Sequence, residues 1–474
     1  MDTDVVKSAL TEELHTFEKE PQPSQERPSW EQQAQTPKPA HTPATTGGKA
    51  LLIAYHYPPV QISSGVQRTL AFSADLPSHG WEPLVLSAHP RAFEKISEGQ
   101  LKDIPASVVV RRAWAWDTAR HFAIKGRYLD AMALPDRWVS WWPGGVVTGL
   151  RLIRRYKPKV IFSTYPIASA HLIALALHKI TGLPWVADFR DSMTEETYPR
   201  EPRRRSVYLW LERQVVSRCS RAIFTTPGAV KMYRERYPEL PADRWAMIPN
   251  GYNEAIFAEV EAARATDSCQ PMTQPISPPL KLVHSGVLYP SERDPRAFFA
   301  AVAALKAQGL IAAEQLQIVL RATGHDALYA PMLSEHGIDD MVQLESGVEY
   351  REALTEMLEA DGLLIFQASN CNHQIPAKLY EYFRAQKPIF ALTDVDGDTG
   401  QSLLGAGVGH IAPLDDKEQL ATELLAFVHQ LQNGTAAVAH KEALRTSSRQ
   451  YGSELLAGIF NDCAGLSTLT TQEP

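Results

Sequence analysis

The chain has 474 residues, 44% of them hydrophobic and 21% charged, with a formal net charge of −7. That length exceeds one ordinary core and calls for two or three domains, and the acidic balance argues against a partner that is nucleic acid. Four cysteines, Cys219, Cys269, Cys371 and Cys463, stand apart with no CxxC pair, so spacing indicates neither a disulfide framework nor a zinc site.

Residues 1–48 are rich in Pro, Gln, Thr, Glu and Ser, as in "EKEPQPSQERPSWEQQAQTPKPAHTPATTGGK". Such a segment buries too little apolar surface to offset its ordering entropy and reads as a disordered tail, with a short helix near residues 4–18. It lacks the basic-then-apolar pattern of an export signal, and no run approaches the ~18 apolar residues of a membrane span. A cytoplasmic protein is expected.

Strands and helices then alternate. Strand-like runs fall at Ala50 to Tyr55, Pro83 to Ser87, Val108 to Arg112, Lys159 to Ser163, Trp185 to Asp188, Ala222 to Thr226 and Trp245 to Ile248. Helical patterns lie between them, and "ASAHLIALALHKI" is apolar nearly all round, as in a helix buried between layers. Such alternation predicts a doubly wound, mostly parallel α/β sheet over residues 49–257. A Pro/Ser/Thr-rich linker is expected at 258–279, after which the alternation restarts over 280–435. Its strands are expected at Leu280 to Ser285, Leu316 to Leu320, Met341 to Leu344, Gly362 to Phe366, Pro388 to Leu392 and Gly409 to Ile411. The last segment, 436–474, holds a helical stretch long enough to cross back to the first domain.

Ligands of open α/β sheets bind beyond the carboxyl ends of the strands, and with two such domains the cleft between them is the expected site. Several stretches fall there. "YHYPPVQISSGVQRT" follows the first strand and offers Gly65 for close backbone approach. It is neither GxGxxG nor a Walker loop. "WVADFRDSM" ends a strand with Asp188, Arg190 and Asp191, readable as an acid and base at the site or as a structural Arg/Asp pair. His171, after "FSTYPIASA", is a catalytic candidate or a hydrogen-bonded core histidine. "HSGVLYPSERDPRAFF" places Gly286 and Arg293 after the first strand of the second domain. "TDVDGDTG" alternates acids but fails the EF-hand pattern, with Thr399 where glycine is required and Gly405 at position twelve, and reads as a strand-to-helix turn.

"NCNHQIPAKLYEYFRAQKPIFAL" is the most informative segment. Pro376 suits a first helical position, which puts Ile375 at a cap that cannot accept hydrogen bonds. The free N–H groups then favour an anion, with Lys378 adding a charge one turn in and Glu381 on the same face. "DRWVSWWPGG" and "YPREPRRRSVYLWLERQ" set tryptophans beside Arg203, Arg204 and Arg205, either core and solvated charge or a candidate for peripheral contact with the inner face of a membrane.

Together "YHYPPVQISSGVQRT", "PDRWVSWWPG", "VIFSTYPIASAHLIAL", "LPWVADFRDSM", "IPNGYN", "HSGVLYPSERDP" and "IPAKLYEYFRAQKPIFAL" resemble glycosyltransferase family 4, over about Ala50 to Phe427. That resemblance implies the GT-B fold, two Rossmann-like domains facing across a cleft. It implies a nucleotide-sugar donor as substrate, transfer with retention to a glycan or lipid-linked acceptor, and neither cofactor nor metal. Residue by residue, Gly65 matches the glycine loop, Glu381 the acid on the ribose, Arg293 and Lys378 the diphosphate clamp, and Asn250 and Gly251 the hinge. Gly286 and Leu379 join the donor-binding set. His373 stands where the family's paired-glutamate motif has its first glutamate, which leaves the donor sugar open. Asp191, Arg190 and His171 are the catalytic candidates. A nucleotide-sugar epimerase and a non-catalytic glycosyltransferase-like subunit are the alternatives.

Overall fold

The computed structural model describes residues 48–61, 64–125, 127–195, 198–267 and 279–466. The expected tail therefore lies outside the described residues apart from Gly48, as do Ser63, Cys269 and the Pro/Ser/Thr-rich run 268–278.

Seven strands form the first sheet: β1 (Gly48–Ile53), β2 (Trp81–Ala88), β3 (Val109–Ala113), β4 (Val160–Thr164), β5 (Trp185–Arg190), β6 (Arg221–Phe224) and β7 (Trp245–Met247), in the order β3-β2-β1-β4-β5-β6-β7. Six form the second: β8 (Leu280–Ser285), β9 (Leu316–Arg321), β10 (Val342–Glu345), β11 (Gly362–Phe366), β12 (Ile389–Leu392) and β13 (Ile411–Ala412), in the order β10-β9-β8-β11-β12-β13. All pairings within both sheets are parallel. This is the GT-B architecture of two Rossmann-like domains.

Parallel strands are buried on both faces, which is why they read as continuous apolar runs. Leu51 and Ile53 of β1 point into one core with Leu84, Ile161 and Trp185, while Ala50 and Leu52 point into another with Val85, Phe162 and Val186. The helix Ala168–Thr181, apolar nearly all round, is buried along most of its length between β4 and the helices Trp141–Tyr156 and Pro202–Arg218. In each sheet the order reverses beside the first strand, between β1 and β4 and between β8 and β11. The loops after these strands meet at the cleft.

Two expectations change. Residues 254–267, partly assigned to the linker, form the helix Glu254–Asp267. Phe257 and Val260 join the core of the second domain, and Arg384 binds Glu254 and Glu261 at 2.7–2.9 Å. The Pro/Ser/Thr composition begins only beyond it. The C-terminal stretch is two helices, Lys441–Thr446 and Arg449–Cys463, because Ser448 caps the second by accepting from Tyr451 N at 3.1 Å.

That second helix lies on the first domain, with Phe460 against Trp81 and Phe162, and Trp81 Nε1 donating to Asn461 Oδ1 at 3.0 Å. The two crossings of the chain run side by side: Tyr252 N donates to Ser447 O at 3.1 Å, and Arg449 N to Tyr252 O at 3.0 Å. A Cβ on Gly251 would come within 2.7 Å of Ser447 O, so glycine at this hinge permits the approach.

Arg68 and Asp188 form a buried pair, with Nε to Oδ2 at 3.1 Å and Nη2 to Oδ1 at 3.0 Å. The same guanidinium donates to Ile248 O at 3.0 Å and Pro249 O at 2.9 Å, and Thr164 Oγ1 donates to Asp188 Oδ2 at 2.8 Å. Arg68→Met should therefore leave a buried carboxylate without its cation and destabilise the first domain by about 3–5 kcal/mol, measured by denaturant unfolding. A loss below ~1 kcal/mol, the range of a solvated pair, would contradict this.

Candidate functional site

On the second domain the site is built around the end of β8. Gly286 has φ +127, a conformation that favours glycine, and a Cβ there would lie 2.8 Å from Lys378 Nζ. His284 is buried with Nδ1 2.9 Å from Leu364 O. Burial and the neighbouring Lys378 hold its pKa well below the ordinary value, so the ring is neutral. Nδ1–H donates to that carbonyl and Nε2 accepts. Lys378 Nζ donates to His284 Nε2 at 3.2 Å and to Ser285 O at 2.6 Å. In its charged form the group has three donors, and the third is left for a ligand beside Gly286. Burial, reinforced by Arg293 and opposed by Glu381, brings the Lys378 pKa down to about 7.

Three more cations line the cleft, and among the described residues they too donate to neutral acceptors. Arg293 Nη1 donates to Val287 O at 3.1 Å, Arg449 Nη1 to Gln67 Oε1 at 3.4 Å and Arg190 Nη1 to Tyr165 O at 3.5 Å. The Nε atoms of Arg190 and Arg293 are buried without a partner. Arg190 also holds a left-handed φ of 61, at a break in the pairing of β5 with β6. Backbone strain of this kind costs roughly 1–3 kcal/mol and collects at functional sites. Nearby carboxylates, Asp191 and Asp188 for Arg190 and Glu381 for Lys378 and Arg449, act on them only through space, and enclosed cations not bonded directly to a carboxylate favour an anion between them.

Glu381 does not pair with Lys378. Its Oε1 accepts from Tyr350 OH at 2.7 Å. Burial raises its pKa, while the Tyr350 hydrogen bond, Arg449 and Lys378 oppose the rise. Neither Tyr350 nor Arg449 carries a signal in the sequence. They reach Glu381 from the helix Tyr350–Glu359 and from the start of the helix Arg449–Cys463.

The helix of Glu381 is Lys378–Ala385, two residues later than expected from Pro376. Leu379 N bonds Pro376 O at 2.9 Å, so Pro376 sits in a tight turn and Ala377 occupies the cap. Alanine, like isoleucine, offers no side-chain acceptor, and the argument for free N–H donors carries over.

Residues 65–251 match a family model described as a glycosyl transferase 4-like domain. Over that segment the chain is similar to such a domain. No curated protein matches the chain by sequence. Among solved structures it is similar to α,α-trehalose 6-phosphate synthase from Burkholderia multivorans, with TM-score 0.60, 11% identity, and 90% of this chain and 99% of that one covered. Sucrose-phosphate synthase from Thermosynechococcus elongatus matches with TM-score 0.57 and 14% identity over 89% and 100% of the two chains. HepE from Anabaena, in complex with UDP and glucose, matches with TM-score 0.57 and 13% identity over 88% and 100%. At these identities the likeness is one of fold.

The fold brings only part of the expected set to the cleft. Asp191 is exposed there, flanked by protein that raises its pKa while Arg190 opposes the rise. Asp188 belongs to the structural pair with Arg68. His171 is a core histidine: fully buried, its Nδ1 lies 2.8 Å from Ser163 Oγ, and burial lowers its pKa to about 4. It is not at the cleft surface. Gly65 serves packing in this arrangement, since a Cβ would meet His56 Nδ1 at 2.4 Å. On the other domain Leu379 is fully buried in the core and presents no side chain to a ligand. The acids of "TDVDGDTG" form a turn into the helix Asp398–Gly405, and no metal-binding cluster occurs among the described residues.

With its pKa near 7, Lys378 is mostly neutral at pH 8. An anion beside Nζ favours the charged form and raises the pKa, so binding takes up a proton. Calorimetry with pyrophosphate at pH 8, in buffers of different ionisation enthalpy, should show proton uptake that Lys378→Met reduces. The same buffer dependence in the variant would refute the assignment.

Proposed function

We propose that the chain transfers a glycosyl group from a nucleotide-sugar donor, held by the second domain, to a hydroxyl of a glycan or lipid-linked glycan held by the first. The observation that carries this reading is the convergence of Arg190, Arg293, Lys378 and Arg449, all bonded to neutral acceptors, on a cleft that also holds Glu381. The cations suit a diphosphate, with Gly286 allowing close approach. Glu381 suits the two ribose hydroxyls, accepting from them where Tyr350 now donates.

As the bond from the anomeric carbon to the diphosphate breaks, its electron pair passes to the phosphate oxygen. Fixed cations there stabilise the transition state more than the ground state. They supply the positive charge that a divalent ion would otherwise bring, which supports transfer without metal. Retention follows from the family resemblance. Asp191, exposed beside Arg190, is the carboxylate placed to meet an acceptor hydroxyl. An epimerase shares such a fold, and movement of radiolabelled sugar from donor onto an acceptor, against interconversion of the free donor, separates the two.

Charge-assisted hydrogen bonds contribute roughly 1.5–3 kcal/mol each, so Glu381→Ala should weaken nucleoside diphosphate binding about tenfold to a hundredfold. Lys378→Ala should weaken the nucleoside diphosphate far more than the bare nucleoside. Calorimetry on both variants tests the assignment, and wild-type affinity in folded Glu381→Ala overturns it.

A lipid-linked acceptor fits the surface of the first domain. Ile124, Leu129, Trp142 and Trp210 are exposed, as are Arg120, Lys125, Arg127, Arg203 and Arg204. Trp141 is core, and Arg205 is tied to Glu195 O and Tyr198 O at 2.6 and 2.8 Å. No helix among the described residues is long and apolar enough to cross a membrane, which leaves contact with a surface. Binding to anionic vesicles should fall with salt and in Arg203→Ser/Arg204→Ser; no sedimentation with vesicles at low salt would sink the idea.

A further inference from the structure

The loop between β11 and the helix Lys378–Ala385 reaches across the cleft. His373 Nε2 lies 3.1 Å from Glu195 Oε1 of the first domain. Two more bonds close the same seam: Thr226 Oγ1 donates to His373 O at 2.7 Å, and Gly228 N to Asp398 Oδ2 at 2.7 Å. Glu195 is itself held, since Ser192 Oγ donates to its Oε1 at 2.6 Å and Arg205 Nη1 to its carbonyl at 2.6 Å. Both side chains keep contact with solvent, at 25% exposure for His373 and 31% for Glu195.

A sugar ring presents hydroxyls that need donors and acceptors in fixed orientations. An imidazole meets that need only when one ring nitrogen is anchored, because the anchor sets both the tautomer and the plane of the ring. Here the anchor comes from the opposite domain. Lys378, Arg293 and Glu381, assigned above to the nucleoside diphosphate, all lie on the second domain, and His373 precedes Lys378 by five residues on the same loop.

Resting on the nucleotide-sugar reading, we propose that Glu195 is a positioning residue for the donor sugar, acting through His373, so that sugar recognition is complete only when the two domains are closed on each other. The nucleoside diphosphate then binds to one domain, and the sugar is selected by both. Mutual charge supports the pairing: Glu195 raises the His373 pKa, and the His373 hydrogen bond lowers that of Glu195.

Gly228 supplies an independent test. A Cβ there would come within 2.7 Å of Asp398 Oδ2 and 2.9 Å of the His373 Cα, a backbone atom. Gly228→Ala therefore pushes His373 and Asp398 back across the seam without changing the chemistry of Glu195 or His373. Affinities are measured for wild type, Glu195→Ala, Glu195→Gln and Gly228→Ala, with folding checked by circular dichroism. The probes are whichever of UDP, GDP and ADP binds wild type tightest, and its glucose and galactose conjugates.

Expected are unchanged nucleoside diphosphate affinity, and loss of about tenfold in affinity for the preferred conjugate, the equivalent of ~1.4 kcal/mol, in Glu195→Ala and Gly228→Ala. The ratio between the two conjugates should shrink, and Glu195→Gln, which keeps an acceptor for Nε2–H, should retain more of it. Equal loss for diphosphate and conjugates, or no change in either, overturns the role of Glu195 while the nucleotide-sugar reading stands. If wild type binds none of the diphosphates, that reading fails and this one with it.

Discussion

The buried bond between Arg68 and Asp188 joins three parts of the first domain that are far apart in sequence. Arg68 lies on the helix after β1, Asp188 is in β5, and the guanidinium's remaining donors hold Ile248 O and Pro249 O at the start of the hinge. Taking two charges out of water costs several kcal/mol per ion. Here the cost is offset because four of the five guanidinium N–H donors have a specific acceptor and Thr164 satisfies the carboxylate further. The pair thus fixes where β5 ends and hands Arg190 and Asp191 to the cleft. It also fixes the first residues of the crossing to the second domain.

The cleft itself obeys the opposite rule. Arg68 is paired with a carboxylate, but among the described residues Arg190, Arg293, Lys378 and Arg449 donate to carbonyls, an amide or an imidazole. In a chain of net charge −7 this concentration of unpaired positive charge is local and built by the fold. Arg190 even takes a left-handed backbone conformation to lie there. A site whose donors are held in place in advance of the ligand has little reorganisation to undergo when negative charge develops there.

Much of this was legible from local pattern. All thirteen strands were anticipated to within about two residues at their starts, because parallel strands buried on both faces are written as short apolar runs between helical periods. The helix Glu254–Asp267 is split by a reading of composition alone because its last turn grades into the Pro-rich run. The helix Lys378–Ala385 was begun too early because proline suits a tight turn as readily as a first helical position. In the candidate site, the places of Gly286, Arg293, Lys378 and Glu381 at the cleft follow from their positions after strands β8 and β11. His171 and Leu379 were not separable from site residues by type or spacing, and burial put both in the core.

The sequence by itself determined the two parallel α/β units, their order, and the loops whose residues stand beyond the carboxyl ends of the strands. These follow from periodicity and turn chemistry, which act over a few residues. Tertiary structure alone decided which charges are paired. Arg68 with Asp188, Tyr350 and Arg449 beside Glu381, and His373 with Glu195 join positions between 31 and 178 residues apart. No local rule distinguishes an arginine that will find a carboxylate across such a distance from one that will be left facing a ligand, because the energy of a buried charge is set by whatever the fold brings within a few ångströms of it.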